Sequence, residues 1–346
     1  MKKKKIITGF MPVEFKELLV KYKQQGYRAK QILEWIYKKN AISFGEMSNL
    51  SKDFKHILEE NLDIISLELQ LKLVSKKDGA MKYLFKAKDG KLVEAVFIPT
   101  QKRATICIST QVGCAYGCIF CASGKNGFVR DLRIDEIISQ VLFIKNDNQD
   151  KPITNIVLMG MGEPLANYDN TIKALKIFND PDCLAIGARK ITLSTCGLCP
   201  QIINLSKEGM QVELSISLHA AEDKLRNKLM PVNRKYPLKE LIKAAKKYMQ
   251  EANRIVTFEY IIIDSINDSK EDALNLSKLL DGFQAKVNII PFNSVPFIEY
   301  ASVKKDALET FCKILEKNKI HYTIRRSRGS DIHGACGQLR AASEKK

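Results

Sequence analysis

Alternating strand-like and helix-like runs between residues 104 and 318 restrict the possible folds of this chain more than any other feature. Six runs of strand length, rich in apolar and β-branched residues, are each followed by a run with helical periodicity. The strand-like runs are 104–109, 155–161, 190–195, 212–218, 256–263 and 286–291, and a last strand is predicted at 321–326. The helix-like runs lie near 134–146, 169–179, 199–208, 237–251, 269–281 and 304–318. Units of this size predict parallel strands with right-handed crossovers, so an incomplete (β/α)6 barrel and a doubly wound sheet both fit.

Two smaller segments precede this pattern. Residues 10–65 show apolar residues at helical spacing, and residues 67–99 change to a two-residue period. The pairs Asp78-Gly79 and Asp89-Gly90 interrupt the second segment and predict hairpins with type I′ turns, joining strands at about 67–76, 80–88 and 91–98. We therefore divide the chain into a helical accessory domain (1–65), a small antiparallel β adaptor (66–100), the main α/β domain (101–340) and a tail (341–346).

The charge balance favours a polyanionic partner without establishing one. Lys and Arg number 56 against 39 Asp and Glu, a formal net charge of +17. Such an excess supports contacts with nucleic acid phosphates, but in a lysine-rich chain it can also serve solubility alone. The basic residues of the second helical segment could face RNA or solvent. No window approaches the length of a membrane span.

Three of the nine cysteines form a C-x3-C-x2-C pattern: Cys114, Cys118 and Cys121. Three thiolates can hold three irons of a [4Fe-4S] cube and leave the fourth iron open, whereas structural zinc normally takes four protein ligands. A zinc site with Cys107 as the fourth ligand is the alternative. An odd number of clustered cysteines is not a disulfide framework and indicates a reducing compartment, so we expect a soluble cytoplasmic protein, and we expect a monomer.

Short polar residues and glycines follow several predicted strands. They are Gly162 and Glu163 after the second strand, Ser194 at the end of the third, Ser217 and His219 at the fourth, and Asn293 after the sixth. Because the carboxyl ends of parallel strands share one edge, these groups would meet a ligand there. Taken singly, each residue could equally belong to a turn or to the core.

The cysteine pattern, with Phe120 just before its third member, resembles the radical S-adenosylmethionine (SAM) superfamily, and the whole of residues 10–340 resembles its RlmN/Cfr family of RNA methyltransferases. The matching motifs are Val93-Glu94-Ala95, Arg103-Ala104-Thr105-Ile106-Cys107, the three cysteines, Gly160-Met161-Gly162-Glu163-Pro164, Ser217-Leu218-His219 and Ala335-Cys336-Gly337-Gln338-Leu339. The resemblance implies an incomplete (β/α)6 radical SAM barrel. It also implies a [4Fe-4S] cluster on Cys114, Cys118 and Cys121. The SAM-binding positions it implies are Gly162, Glu163, Ser194, Ser217, Leu218, His219 and Asn293.

The resemblance further implies a reaction that uses two SAM molecules per turnover. Cys336 takes a methyl group from the first, and a 5′-deoxyadenosyl radical from the second removes a hydrogen atom from that methyl. The S-methylene radical adds to C2 of an adenine, Glu94 is the position proposed as proton acceptor, and Cys107 releases the RNA by forming a disulfide with Cys336. The implied substrates are 23S rRNA in the peptidyl-transferase region and the anticodon loop of some tRNAs. The implied redox partners are a one-electron donor such as flavodoxin or ferredoxin and a disulfide reductant.

Two other functions remain open at this stage. A Cfr-type enzyme would methylate C8 of the same rRNA adenine, and a zinc-stabilised RNA-binding protein would use the same charge and cysteines without SAM. The pair Cys196 and Cys199 has metal-ligand spacing, yet no further ligand pair accompanies it, so we predict structural or incidental thiols.

Overall fold

The computed structural model describes residues 4–125, 127–295 and 298–340. Its first segment is helical, as predicted, with α1 (Pro12–Lys21), α2 (Tyr27–Tyr37) and α3 (Lys52–Asn61). Two short strands, β1 (Lys5–Ile6) and β2 (Leu62–Asp63), pair in parallel and bring the two ends of this segment together. The apolar positions at helical spacing are buried, including Phe15, Leu19 and Ile36.

Three antiparallel strands follow at the predicted positions: β3 (Leu67–Val74), β4 (Met81–Ala87) and β5 (Leu92–Pro99). The hairpins are confirmed, but the predicted type I′ turns are wrong. Gly79 and Gly90 have positive φ angles of 72° and 80°, whereas neither preceding aspartate has a positive φ. At the second turn the N–H of Gly90 donates to the carbonyl of Ala87, so only the glycine takes the left-handed conformation.

The rest of the chain alternates strands and helices. The strands are β6 (Ala104–Cys107), β7 (Gln111–Gly113), β8 (Phe128–Asp131), β9 (Asn155–Leu158), β10 (Ile191–Thr195), β11 (Glu213–Ser217), β12 (Val256–Ile262), β13 (Lys286–Pro291) and β14 (Tyr322–Ile324). The helices are α4 (Ala122–Lys125), α5 (Ile134–Asp147), α6 (Tyr168–Asn179), α7 (Cys199–Ser206), α8 (Asp223–Leu229), α9 (Leu238–Ala252), α10 (Lys270–Leu279) and α11 (Lys305–Lys317). All the strand-like and helix-like runs predicted beyond residue 104 are present within a few residues of their predicted bounds.

The order of the strands decides between the two predicted architectures. In space it is β6-β9-β10-β11-β12-β13-β14, and every neighbouring pair is parallel. A doubly wound sheet would reverse its strand order at a switch point, and this order never reverses. The sheet is therefore the incomplete barrel that was predicted.

The antiparallel strands are continuous with this barrel. β5 pairs with β6, with Val96 opposite Cys107, and β4 and β3 follow, so one sheet contains ten strands. β6 thus carries β9 on one side and β5 on the other. Within the described ranges, β14 ends the sheet at its other edge, which leaves the barrel open between β14 and β6. No helix in these ranges is long and apolar enough to span a membrane.

Candidate active site

A cavity at the carboxyl ends of the barrel strands collects side chains from widely separated parts of the chain. Its lining includes the three cysteines of the C-x3-C-x2-C pattern and Cys336, together with Gly162, Glu163, Ser194, Ser217 and His219. Parallel strands place their carboxyl ends at one edge, which is why residues that follow β9, β10 and β11 meet here.

The three cysteines lie on the loop between β7 and α4. Backbone hydrogen bonds fold this loop tightly: the N–H of Cys121 donates to the carbonyl of Cys118 (3.1 Å), and the N–H of Gly124 donates to the carbonyl of Cys121 (3.2 Å). Burial raises the pKa of the Cys114 thiol to about 12 and raises the pKa values of Cys118 and Cys121 above the ordinary value. Metal ligation at these sulfurs must therefore release protons that the folded protein otherwise retains.

This donor set fits a cluster better than a single ion. In the described part of the chain, no three His, Cys, Asp or Glu side chains converge closely enough to hold one metal ion. Cys107, the alternative fourth zinc ligand, lines a different cavity from the three thiols. Three thiols that line one cavity without converging on a point suit an iron–sulfur cube, in which each thiolate binds a different iron.

The loop after β9 approaches its neighbours so closely that glycine is required. Gly162 has a φ of 96°, and a Cβ atom there would lie 2.4 Å from the Cβ of Gln111. The buried carboxylate of Glu163 accepts the N–H groups of Leu165 (3.0 Å) and Cys196 (2.7 Å). Burial raises the pKa of Glu163. These two hydrogen bonds hold the loop after β9 against the loop after β10. The carboxylate also lines the cavity and has lone pairs left to accept further hydrogen bonds.

His219 presents a hydrogen-bond donor to the cavity. It follows β11 in the left-handed conformation, with a φ of 58°, and its Nδ1 accepts the N–H of Ile261 at 3.0 Å. Burial lowers the pKa of His219 to about 3, so the ring is neutral. A neutral ring that accepts at Nδ1 carries its proton at Nε2.

The buried neutral ring of His219 should make the stability of the apoprotein pH-dependent. As the pH falls from about 6.5 towards 3, the unfolded chain takes up this proton first, so the free energy of unfolding falls through that window. Asparagine tolerates the positive φ of this position. We therefore expect His219→Asn to reduce the slope of the free energy of unfolding against pH by up to about 1.4 kcal/mol per pH unit. Urea unfolding at pH 7, 6, 5 and 4 measures the effect. If the free energy of unfolding changes with pH in the same way in both proteins, the buried ring of His219 is not the source of the pH dependence.

The segment that carries Cys336 is held against the cysteine loop. Ala122 N–H donates to the carbonyl of Gly337 (2.7 Å), and the hydroxyl of Ser123 donates to the carbonyl of Leu339 (2.6 Å). These bonds start one residue after Cys121 and bracket the chain just beyond Cys336. The half-buried Cys336 thiol consequently lines the same cavity as the three cysteines.

Comparison with known proteins agrees with this geometry. Residues 108–277 match the model of the radical SAM superfamily, and residues 7–64 match the ribosomal RNA large subunit methyltransferase N-terminal domain. A probable dual-specificity RNA methyltransferase RlmN from Clostridium novyi is 46% identical over 97% of this chain and 98% of its own length. A protein of the same description from Staphylococcus haemolyticus is 45% identical over 95% of this chain and 90% of its own length. The chain belongs to the RlmN family of radical SAM RNA methyltransferases. The crystal structure of a radical SAM methyltransferase from Sphaerobacter thermophilus has a TM-score of 0.95 and 39% identity, covering 98% of this chain and 100% of that one.

Membership of the RlmN family establishes the cofactors, a [4Fe-4S] cluster and SAM. Cys114, Cys118 and Cys121 are the residues that would hold the cluster, and the glycine-lined β9 loop with the polar groups around it would hold SAM. The alternative of a zinc-stabilised RNA-binding protein is therefore wrong, because the family to which the chain belongs uses radical SAM chemistry.

Besides Cys107, three predicted site residues do not line this cavity. Asn293 donates from Nδ2 to the carbonyl of Cys336 (3.3 Å), so it contacts the Cys336 loop and does not line the cavity. The side chain of Leu218 is buried, and its N–H donates to the carbonyl of Glu259 (3.0 Å). Glu94 forms an ion pair with Lys82 at 3.1 Å. Their predicted roles remain predictions.

Cys107 lies at the end of β6 and lines a second cavity together with Cys336. Burial raises the pKa of the Cys107 thiol to about 12. Both thiols are free. Cys336 therefore lies between the cavity of the three cysteines and the cavity of Cys107, because it lines both.

Arg226 on α8 is a residue of the site that sequence reasoning missed. Its guanidinium is completely buried and donates to the carbonyls of Leu218 (3.0 Å), Cys196 (2.9 Å) and Ser217 (2.9 Å). It also donates to Oδ1 of Asn233 at 2.7 Å. Arg226 thus ties together the ends of β10 and β11, from which Cys196 and Ser217 reach the cavity. No spacing or motif distinguishes this arginine from the other basic residues around it.

Glu259 is a second missed residue, and the sequence does carry a signal for it. It is the only charged residue in β12. Its buried carboxylate lines the cavity, accepts from Asn288 at Oε1 (3.0 Å) and lies 3.9 Å from Arg325 at Oε2. Burial raises the pKa of this carboxyl. A lone acid in an otherwise apolar strand is a signal because burying a charge is costly unless the charge is paired.

Cys196 and Cys199 do not form a second metal site with other described residues. The N–H of Cys196 donates to Glu163, and its side chain lines the cavity. The thiol of Cys199 donates to the carbonyl of Gly197 at 3.6 Å. The prediction that Cys196 and Cys199 are structural or incidental thiols stays a prediction.

Proposed function

We propose that this protein methylates C2 of an adenine in RNA through a methyl group carried on Cys336. The observation that carries the proposal is the position of Cys336, which lines both the cavity of the three cysteines and the cavity of Cys107. A methyl carrier has to reach the radical source on one side and a resolving thiol on the other. The relatives' printed name, dual-specificity RNA methyltransferase, supports substrates of two kinds, which we propose to be 23S rRNA at the peptidyl-transferase region and the tRNA anticodon loop.

The cofactors supply, when bound, the methyl group from one SAM and the 5′-deoxyadenosyl radical from a second. Cys336, as a thiolate, accepts the methyl group by displacement and later forms the carbon–carbon bond to C2 through its S-methylene carbon. An adenine C2–H is neither acidic nor nucleophilic, so a direct polar transfer cannot reach it. Covalent catalysis through Cys336 replaces this difficult step by several easier ones.

Two further residues would complete the reaction. Glu94 is the proposed acceptor of the C2 proton. Its Oε2 accepts the N–H of Arg340 at 2.8 Å, four residues after Cys336, while its Oε1 pairs with Lys82. The unpaired electron of the adduct would pass to the external one-electron carrier. Cys107 would then bond to the Cys336 sulfur as the sulfur–carbon bond breaks, and the released carbon would take up a proton to become the methyl group. The resulting disulfide is reset by an external reductant.

Product analysis tests this function most directly. We expect RNA from a strain whose only copy carries Cys336→Ala to lack 2-methyladenosine at the modified positions, while the wild-type copy restores it. Nucleoside mass spectrometry of purified 23S rRNA and tRNA separates 2-methyladenosine from 8-methyladenosine. A matched Cys312→Ala strain, which removes a thiol of α11 outside both cavities, should behave as the wild type.

Each other outcome of that analysis has a definite meaning. If the wild-type copy produces 8-methyladenosine, the protein is a Cfr-type C8 enzyme and the C2 proposal is wrong. If the Cys336→Ala strain retains 2-methyladenosine, Cys336 is not the methyl carrier.

A further inference from the structure

We propose that Arg103 and Arg326 form a phosphate-binding rim at the entrance through which the target nucleotide reaches Cys336. This inference rests on the proposed RNA methylation and adds the residues that hold the RNA backbone. It begins from the second cavity, which has a volume of about 240 Å³. Cys107 and Cys336 both line this cavity.

The second cavity occupies the gap of the open barrel. Thr105 and Cys107 on β6 line one side of it, and Ile290 on β13 and Arg325 beyond β14 line the other. β6 and β14 are the two ends of the parallel part of the sheet. A substrate that enters through this gap meets Cys336 in a cavity that the three cysteines do not line.

The charge of this entrance is entirely of one sign. Four arginines line it, namely Arg103, Arg325, Arg326 and Arg328, and none of the described residues that line it is acidic. Arg325 lies 3.9 Å from Glu259, and Arg328 donates to the carbonyl of Pro99 at 3.3 Å. The exposed guanidinium groups of Arg103 and Arg326 form no hydrogen bond or ion pair with the described residues.

The backbone beside each free arginine is held in place. Arg103 closes the turn between β5 and β6, where its N–H donates to the hydroxyl of Thr100 (2.8 Å) and its carbonyl accepts the N–H of Thr100 (2.7 Å). Arg326 follows Arg325, whose N–H donates to the carbonyl of Ile289 at 2.8 Å. Two arginines on fixed supports at one rim suit a pair of phosphates, which guanidinium groups bind with two parallel hydrogen bonds.

The geometry of the reaction explains why phosphates would lie there. An adenine must leave its stack to reach a thiol inside the protein, and its ribose-phosphate backbone stays outside because it is charged. The phosphates on either side of the flipped nucleotide then lie at the rim. Interactions of this kind position the RNA without reading its bases, which suits an enzyme that accepts two RNAs.

The test compares Arg103→Gln/Arg326→Gln with the wild-type holoenzyme on a stem-loop RNA whose single-stranded loop contains one adenine. Initial rates of methyladenosine formation are measured over a series of RNA and salt concentrations. We expect the KM for RNA to rise about tenfold or more, and the slope of log KM against log salt to fall by about 0.7 for each phosphate that the variant no longer neutralises. The kcat at saturating RNA should change little, because neither arginine touches the reacting atoms.

Two controls separate the rim from general charge loss. Lys239→Gln/Lys243→Gln removes the same charge from the exposed lysine-lined face of α9 and should leave the KM and the salt slope unchanged. Arg103→Lys/Arg326→Lys keeps the charge and should recover most of the salt slope.

The outcomes distinguish this inference from the function on which it rests. If the wild type methylates the stem-loop and the double glutamine variant keeps its KM and salt slope, the rim is wrong and the function stands. The rim is also wrong if the α9 variant loses as much affinity as the arginine variant. If the wild type methylates neither this RNA nor purified 23S rRNA and tRNA, the proposed function fails, and the rim fails with it.

Discussion

Replacing Cys107 by alanine is expected to leave RNA covalently attached to the protein through Cys336. On the proposed pathway the carbon–carbon bond to C2 forms before Cys107 takes part, so the variant stalls with its adduct intact. Cys107 lines the cavity that Cys336 also lines, and among the described residues no other thiol lines that cavity. We therefore expect less than one turnover per protein molecule, with most of the active protein trapped as the adduct.

Denaturing electrophoresis with labelled RNA detects this adduct. After nuclease digestion, mass spectrometry should find an adenine joined through one carbon to the peptide that contains Cys336. Cys107→Ala/Cys336→Ala should form no adduct, and Cys183→Ala, which removes a buried thiol outside both cavities, should turn over normally. A Cys107→Ala protein that carries methyl on Cys336 yet releases methylated RNA at the wild-type rate would exclude Cys107 as the resolving thiol.

Replacing Arg226 by methionine is expected to lower the free energy of unfolding by about 4 kcal/mol or more, because it leaves the four acceptors of a buried guanidinium unpaired at about 1–3 kcal/mol each. The side chain is buried, and the substitution removes the donors to three carbonyl oxygens and one amide oxygen. Methionine has similar length and no donor, so the loss is one of hydrogen bonds and charge more than of volume.

The same substitution should loosen the site, because the carbonyls of Cys196 and Ser217 belong to the ends of β10 and β11. We expect fewer irons per protein after anaerobic reconstitution, in addition to the lower stability measured by urea unfolding of the apoprotein. Lys224→Met on the exposed side of α8 is the matched control and should stay within about 0.5 kcal/mol of the wild type. An Arg226→Met protein as stable as this control would show that the hydrogen bonds contribute nothing.

The regular elements of the barrel were predictable because each carries its own periodicity. The helices and the longer strands repeat apolar residues over enough positions to show a period, and the regular alternation of strand and helix also marks β6 and β9, which have only four residues. The hairpin β7–β8, the pair β1–β2 and the seven-residue α8 were not predicted. These elements are too short to show a period, and they lie outside that alternation.

The candidate site was predictable where chemistry requires a spacing. The three cysteines lie close together in sequence, as ligands on one loop would have to, and the glycines of the β9 loop permit a close approach. The guanidinium of Arg226 follows no such rule. It is recognisable only once the strands around it are assembled, because its burial and the partners it finds are properties of the folded chain.

The sequence by itself determined the kind of chemistry: thiols at cluster spacing, polar groups after parallel strands, and two further cysteines far apart in the chain. Only the tertiary structure decided that the sheet is an open barrel, that Cys336 lies between two cavities, and that arginines from the β5–β6 turn and from the segment after β14 meet at one rim. The physical reason is the range of the interactions. Spacing and periodicity act over a few residues, whereas strand order and the docking of the Cys336 segment depend on hydrogen bonds between residues as far apart as Ser123 and Leu339.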